Sequence, residues 1–272
     1  MKHKFLFILL FSLVLEGMVT TQAVAGDYVH QVNTLIGTKG TGLTSGYLYP
    51  GATYPYGMVQ FTPSYFSKRS GFVINQLSGG GCEHMGNFPT FPVKGKLKMS
   101  PDNILNYRIN VSEEKGHAGY YEAMVQEDIK AKLTVTERTG MASYEYPADQ
   151  QYGTIIIGGG ISATPIEQAA IVITAPNKCE GYAEGGNFCG LRTPYKVYFV
   201  AEFDTDAFET GTWKREELMP NTTFAEGEYS GVYFTFDVNK KKNIQYKIGV
   251  SYVSVENARE NLKAENAEWD FQ

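Results

Sequence analysis

Residues 49–63 read YPGATYPYGMVQFTP, and residues 32–38, a short distance upstream, read VNTLIGT. Together the two stretches combine glycines, which can adopt positive φ, with prolines, which fix φ and lack a backbone donor. Within the first stretch, residues 58–61 suit a short β-strand. This fixed order of restricted loop positions and a strand predicts a well-defined loop–strand–loop unit and argues against a flexible linker.

The first 25 residues predict a secretory signal peptide. Two lysines precede an apolar run at residues 5–15, and Ala23-Val24-Ala25 forms a small-x-small site, so we expect cleavage after Ala25. An uncleaved membrane anchor is the alternative, but Glu16 and Gly17 end the apolar run before it is long enough to span a bilayer. We therefore expect an exported protein, periplasmic or extracellular, that has no membrane association once the peptide is removed.

The composition favours β-structure and disfavours a nucleic-acid partner. The 272 residues include 19 Tyr and 16 Phe, but only 19% are charged, which is typical of strands and aromatic-rich surfaces. The formal net charge is −5, and the one basic run, at residues 240–242, lies between two strand-like segments and predicts a solvated hairpin tip. Nucleic acid requires a basic face, and neither feature provides one.

Strand signals dominate the chain and predict an all-β fold. Turn residues such as Pro147-Ala148-Asp149 separate many short apolar or alternating runs. Antiparallel strands at such short spacing predict one large antiparallel β-sandwich domain over residues 26–253. The predicted strands cover residues 93–99, 120–125, 129–136, 142–146, 154–157, 170–174, 196–203, 231–237 and 244–255.

The C-terminal segment differs, because residues 254–272 predict a short helix. Ser254 can cap its first turn, and Glu256 suits the positive end of the helix dipole. Apolar residues recur at roughly helical spacing as far as Trp269. Trp269 and Phe271 need a surface to pack on, and this is either the sandwich itself or a further domain.

Three cysteines in an exported chain leave one without a partner. Cys179 and Cys189 lie close together in a predicted glycine-rich loop and could pair, which would leave Cys82 buried and inert. The chain has no CxxC motif and no histidine at ligand spacing, so we expect no metal site in it.

The ordered motifs resemble glycoside hydrolase family 92, the bacterial exo-acting α-mannosidases. The opening stretches match the family's typical N-x-x-I-G-T-G and F/Y-P-G-A-x-x-P-F-G-M-V-Q-x-S-P runs. Further matching stretches follow in the family's order and cover essentially the whole mature chain. They are LSGGGC at residues 77–82, GNFP at 86–89, TVTERTG at 134–140, YKVYF at 195–199 and the segment 251–265.

This resemblance implies a galactose-mutarotase-like supersandwich, a linker helix at residues 254–272 and, after it, a larger (α/α)6-barrel catalytic domain. The family hydrolyses α-mannosides with inversion, in which one carboxylic acid protonates the leaving oxygen and a second carboxylate activates water. The resemblance places these carboxylates and a calcium ion in the later domain. We therefore expect no catalytic residue in this chain and no activity from it alone. Its expected partners are an α-mannoside glycan and the absent catalytic domain.

The resemblance also indicates that a loop over residues 77–92 reaches the substrate. Three successive glycines at residues 79–81 allow backbone to approach a ligand closely. The candidate substrate-binding residues are Gly81, Cys82, Glu83, His84 and Asn87. A carboxylate beside an imidazole suits sugar hydroxyl groups. Asn87 replaces an Asp that is typical of the family, and the alternative interpretation is an exposed loop with no ligand role.

Two functions of different classes remain open. The first is the N-terminal domain of a secreted, calcium-dependent inverting α-mannosidase, truncated before its catalytic domain. The second is an autonomous secreted carbohydrate-binding protein. Its aromatic platform would use Tyr47, Tyr49, Tyr54, Tyr56, Tyr65 and Phe66. The pair Glu137-Arg138 predicts a structural ion pair or a turn-fixing contact instead of a catalytic one.

Overall fold

The computed structural model describes residues 28–38, 48–64, 71–82, 84–102 and 110–271. The predicted signal peptide, residues 1–25, lies outside them. The chain divides into two units, and the first, which ends at Gln31, contributes a 3-10 helix at Val29–Gln31 to the described residues. Over the described ranges, no helix is both long enough and apolar enough to cross a lipid bilayer.

The second unit is built from short antiparallel strands, which we number along the chain. They are β1 (Ala52–Thr53), β2 (Gln60–Pro63), β3 (Phe72–Val73), β4 (Thr90–Lys94), β5 (Val111–His117), β6 (Tyr120–Val125), β7 (Ile129–Val135), β8 (Thr139–Glu145), β9 (Tyr152–Gly158), β10 (Ile166–Ala175), β11 (Lys178–Phe188), β12 (Leu191–Phe203), β13 (Glu209–Lys214), β14 (Glu217–Pro220), β15 (Phe224–Glu226), β16 (Ser230–Asp237) and β17 (Asn243–Ser251).

These strands form two large sheets that pack face to face. The eight-stranded sheet has the order β1-β2-β3-β4-β9-β16-β13-β14, and the nine-stranded sheet has the order β15-β10-β11-β12-β17-β8-β7-β6-β5. Every pairing between neighbouring strands is antiparallel. The predicted all-β antiparallel sandwich is therefore confirmed.

The core between the sheets is aromatic. The ring of Phe203, on β12, lies 4.7 Å from that of Phe234 and 5.1 Å from that of Phe236, both on β16 of the opposite sheet. Its ring centroid is also 5.3 Å from that of Tyr246 on β17. Since burying one such side chain contributes about 1.5–3 kcal/mol, this cluster is a main reason why the two sheets adhere.

The helix predicted after the last strand is present and shorter than predicted. Helix α1 covers Val255–Glu265, and the side chain of Ser254 caps it by accepting a hydrogen bond from the Asn257 amide. Its buried face, with Ala258 and Leu262, packs on the nine-stranded sheet. Gly249 permits this approach, because a Cβ there would lie 2.5 Å from the Ala258 carbonyl oxygen.

The residues after the helix fold back onto the sandwich. The buried Lys247 side chain donates hydrogen bonds to the carbonyl oxygens of Asn266 (3.0 Å) and Ala267 (2.9 Å), and its Nζ lies 4.3 Å from the centre of the Trp269 ring. The ring of Phe271 meets that of Tyr120 edge to face. Both aromatic residues therefore contact the sandwich. The role of this segment as a linker to another domain stays a prediction.

The predicted glycine-rich loop around Cys179 is wrong, because that segment forms strand β11. Cys179 lies near the start of the strand and Cys189 just beyond its end. Ten residues of extended chain span about 33 Å, whereas a disulfide requires Cα atoms within about 7 Å. The observed disulfide joins Cys82 to Cys189, and Cys179 is the buried free cysteine.

The predicted hairpin tip at residues 240–242 is also wrong. Strands β16 and β17, which flank it, lie in different sheets, so the basic run crosses between sheets instead of turning within one. Lys240 pairs with Asp237 at 3.3 Å and Lys241 with Asp204 at 2.7 Å. Two of the three positive charges are thus paired with nearby carboxylates.

Candidate functional site

The candidate loop is attached to one end of the sandwich by hydrogen bonds to β2 and to the segment before β1. The Ser78 amide donates to the side-chain oxygen of Gln60 (3.0 Å), and the Ser78 hydroxyl accepts from the Tyr49 amide (2.9 Å). Gln60 also forms an isolated bridge with Asn75. These contacts hold the start of the loop while leaving Leu77 half exposed, at 51%.

A fully buried amide network holds the other end of the loop. The side-chain oxygen of Asn75 accepts hydrogen bonds from the amides of Gly86 (3.0 Å) and Asn87 (2.8 Å). The side-chain oxygen of Asn87 in turn accepts from the Asn75 amide group (3.0 Å) and from the Tyr195 hydroxyl (2.8 Å). Burial raises the pKa of Tyr195, so it stays a neutral donor. Asn87 therefore ties the loop to β12.

His84 lies beneath the glycines and is fully buried. Its ring stacks on that of Phe188, with the centroids 4.9 Å apart and the planes 29° from parallel. Gly80 covers the ring so closely that a Cβ there would lie 2.5 Å from Nε2. Neither ring nitrogen has a hydrogen-bond partner among the residues that the structure describes. Because buried polar atoms in proteins are nearly always paired, these nitrogens are suited to an ordered water or a ligand hydroxyl.

The remaining candidate residues lie at the surface or outside the described ranges. Gly81 is exposed and has a φ of +73°, a conformation that favours glycine. Cys82 is half-buried, and its disulfide partner Cys189 is exposed at the tip of the β11–β12 hairpin. Glu83 lies outside the described residues. The loop thus offers an exposed rim at Gly81 and Cys82 above a buried floor at His84 and Asn87, and their roles in substrate binding remain predictions.

Several exposed apolar side chains lie in this loop or on segments that contact it or Asn75, and the sequence pattern does not mark them. Leu48 lies beside Gly79, Leu191 follows the disulfide hairpin, and the Tyr252 hydroxyl accepts a hydrogen bond from Asn75. We call this set the apolar end. It comprises Leu48, Leu77, Leu191, Tyr252 and Val253, which are 37%, 51%, 71%, 39% and 74% exposed. Sequence periodicity cannot reveal such a set, because its members come from four separate turns and strand ends.

Of the pair Glu137-Arg138, Arg138 makes the turn-fixing contact that the sequence predicts. The Arg138 guanidinium pairs with the Glu265 carboxylate at the end of α1, which also accepts from the Arg138 amide (2.8 Å) and the Thr136 hydroxyl (2.6 Å). Burial raises the pKa of Glu265, but these hydrogen bonds and the positive charge outweigh it, so the pKa lies below its ordinary value of 4.5. The carboxylate fastens the helix to the β7–β8 turn.

Two large antiparallel sheets, one covering helix and a glycine loop at one end define a β-supersandwich domain. The glycosyl hydrolase family 92 N-terminal domain model matches residues 31–251. The chain belongs to this family, which confirms the resemblance seen in the sequence.

Three proteins of similar sequence or structure are much longer than this chain. An uncharacterized secreted glycosidase of Arthroderma benhamiae is 24% identical, over 96% of this chain and 38% of the relative. A family 92 α-mannosidase of Bacteroides thetaiotaomicron has a TM-score of 0.72 at 25% identity, over 87% of this chain and 35% of its own. The family 92 glycosyl hydrolase ccman5 has a TM-score of 0.78 at 21% identity, and the match covers 90% of this chain and 35% of ccman5. The chain thus spans little more than a third of these proteins.

Proposed function

We propose that this chain is the N-terminal sandwich domain of an exported inverting α-mannosidase and that it helps to bind an α-mannoside glycan. The observation that carries the proposal is the family match over residues 31–251. It is supported by two relatives of known structure from Bacteroides thetaiotaomicron, one an α-mannosidase and the other an inverting mannosidase. In this proposal the (α/α)6 catalytic domain lies outside these 272 residues.

The chemistry of bond cleavage belongs, in this proposal, to that catalytic domain. The resemblance implies a calcium ion there, and the described part of this chain offers no group of three or more His, Cys, Asp or Glu side chains that fits such an ion. No step assigned to this chain therefore passes through a metal. The sandwich contributes a wall of the substrate site and leaves proton transfer to carboxylates of the other domain.

The apolar end is suited to face the catalytic domain. Exposed apolar side chains gathered in one place mark interaction surfaces in proteins. Here they lie in the glycine loop or on segments that contact it or Asn75, so a domain docked on them would cover the loop at the interface. A mannoside bound there would meet backbone groups at residues 79–81, since glycines let a ligand approach the main chain.

Export is supported by the chemistry of the cysteines. Disulfides persist in oxidising compartments and are rare in the cytosol. In the bond between Cys82 and Cys189, Cys189 is exposed, so a cytosolic reductant would reach it. The Arthroderma relative is also described as secreted.

The test is a titration of the isotopically labelled mature chain with methyl α-mannoside, followed by amide NMR, with methyl α-galactoside as the matched control. We expect shifts confined to residues 77–87 and its neighbours with the mannoside only, and no hydrolysis of an aryl α-mannoside. Hydrolysis by the chain alone, or equal shifts with both sugars, would overturn the proposal. An unrelated reading frame after the Gln272 codon would count against the α-mannosidase assignment.

The second candidate function, a stand-alone carbohydrate-binding protein, is favoured by one observation. Tyr56 is fully exposed and adopts a left-handed φ of +59°, and Tyr54 beside it is 49% exposed. Strained, exposed aromatic residues are found at ligand-binding turns. Of the other aromatic candidates, Tyr49 is buried, and Tyr47, Tyr65 and Phe66 lie outside the described residues. Loss of sugar binding in Tyr54→Ala/Tyr56→Ala, with binding retained in Leu77→Ser, would favour this candidate.

A further inference from the structure

The Cys82–Cys189 disulfide joins parts of the molecule that are distant in sequence. The two cysteines are 107 positions apart. Cys82 belongs to the loop that follows β3 of the eight-stranded sheet, and Cys189 lies at the turn between β11 and β12 of the nine-stranded sheet. The bond therefore connects the candidate loop to the opposite sheet.

A second contact lies directly beside the disulfide. Phe188 precedes Cys189, and its ring stacks on His84, two residues after Cys82. The hairpin tip thus contacts the loop twice, once through the sulfur atoms and once through the rings. Together with the Asn75–Asn87 network, these contacts restrain the loop on both sides of its glycines.

We propose that the Cys82–Cys189 disulfide and Phe188 are positioning residues that hold the glycine loop, residues 79–81, closed over His84, so that mannoside recognition depends on the oxidised state of this bond. The recognition part rests on the proposed function, whereas the restraint of the loop does not. Gly80 fits this role, because its backbone lies against the His84 ring where any larger residue would clash.

The bond can exist in two defined states, the oxidised disulfide and the reduced pair of thiols. Cys189 is exposed, so a dithiol can reach it. The dithiol supplies two electrons and two protons, the S–S bond breaks into two thiols, and the dithiol becomes a cyclic disulfide. Cys179 does not compete, since burial raises the pKa of its thiol and keeps it protonated inside the sandwich.

The experiment compares amide hydrogen exchange of residues 79–81 in the oxidised chain, the chain reduced by a dithiol, and Cys82→Ser/Cys189→Ser. We expect exchange at least tenfold faster in both altered forms, with the core amides of β9 and β16 unchanged. The double variant should show no further response to the dithiol, and Cys179→Ala should behave as the native chain. Unchanged loop exchange after reduction would overturn the proposal.

The role of Phe188 is tested by a matched pair of variants. Phe188→Tyr keeps the ring over His84 and should retain slow exchange, whereas Phe188→Ala should raise exchange at residues 79–81 and shift the His84 ring resonances. Equal exchange in the two variants would remove Phe188 from the proposal.

A methyl α-mannoside titration of the same samples separates the two proposals. We expect the affinity to fall at least fivefold on reduction. An unchanged affinity with faster loop exchange would overturn the dependence of recognition on the bond while leaving the proposed function intact. Absence of binding by the oxidised chain would instead count against the proposed function, and the exchange data would still decide whether the bond restrains the loop.

Discussion

The side chain of Asn75 holds the end of the candidate loop at Gly86 and Asn87. Its oxygen accepts from the amides of Gly86 and Asn87, and its nitrogen donates to the Asn87 side chain and the Tyr252 hydroxyl. Asn75 is 2% exposed, so water cannot replace these bonds. At the residue scale, the conformation of this end of the loop thus depends on buried amide groups.

Asn75→Ala is therefore expected to destabilise the protein. It leaves two buried backbone amides without an acceptor, which costs about 2–4 kcal/mol in free energy of unfolding. Urea unfolding followed by fluorescence measures this loss. Asn33→Ala is the matched control, because Asn33 accepts from the Leu35 amide at an exposed position where water can substitute. Equal losses of unfolding free energy in Asn75→Ala and Asn33→Ala would contradict the stabilising role of Asn75.

Glu265 predicts a specific dependence of stability on pH. Its pKa in the folded state lies below 4.5, because hydrogen bonds from Thr136 and Arg138 outweigh the effect of burial. The unfolded state therefore binds more protons as the pH falls, so the stabilisation is complete above the unfolded-state pKa and is lost as the pH falls through the folded-state pKa. Melting temperatures measured from pH 6 to pH 3 should fall less steeply in Glu265→Gln, and parallel curves would count against this role.

The identity of the loop could be predicted from sequence, but its chemistry could not. The glycines and Cys82 mark a loop because of their backbone freedom and their place in a family motif. The partner of Cys82 is decided by which hairpin the opposite sheet brings near, and no local pattern encodes this. The burial of His84 likewise depends on Phe188, which is more than 100 residues away.

Helix α1 is a lid on the nine-stranded sheet and depends on one glycine of that sheet. Leu262 and Ala258 pack against β12 and β17, and Gly249 lies directly below them. The helix is fastened at its end by Glu265 and, just beyond it, by Lys247. At the element scale, the close backbone approach at Gly249 and the polar contacts of Glu265 and Lys247 together hold the helix on the sheet.

Gly249→Ala tests the close approach. The new Cβ would lie 2.5 Å from the Ala258 carbonyl oxygen and 2.8 Å from the Leu262 Cβ, so the helix must shift. We expect a loss of about 1–3 kcal/mol in free energy of unfolding, measured by urea denaturation. Faster amide exchange in α1 should accompany it. Native stability together with native exchange in the helix would show that the contact is not tight.

Sequence reasoning recovers elements with strong local patterns and misses those defined by their partners. Residues 120–125 are mostly aromatic and aliphatic, which predicts a strand, and the predicted bounds equal those of β6. Strand β11 carries glycines that suggest a loop, yet pairing with β10 and β12 stabilises it. Strands β16 and β17 are neighbours in sequence and predict a hairpin, but each pairs within a different sheet.

At the scale of the whole molecule, three of the four edge strands of the two sheets have features that disfavour pairing with another strand. Strand β15 has only three residues, β14 ends in Pro220, and β5 carries a bulge beside Glu113 and Glu114. Short, charged or irregular edge strands disfavour pairing with another molecule. Any association of this domain is therefore expected at the apolar end and not at the sheet edges.

The self-association of the mature chain tests this expectation. Leu191→Ser/Val253→Ser should lower the concentration-dependent association measured by sedimentation velocity, since both side chains are more than 70% exposed. Phe224→Ser is the matched control, because Phe224 is 53% exposed on the edge strand β15. A native chain that stays monomeric at all concentrations, or an equal effect of Phe224→Ser, would contradict association through the apolar end.

The disulfide has a topological consequence for the fate of the chain after proteolysis. With Cys82 bonded to Cys189, the residues between them form a closed covalent ring from which the two ends of the chain extend. A single protease cut inside this ring opens it but releases no fragment, so the nicked protein keeps its mass until the bond is reduced. A protein exposed to extracellular proteases would thus survive one cut over more than a third of its length as one connected molecule.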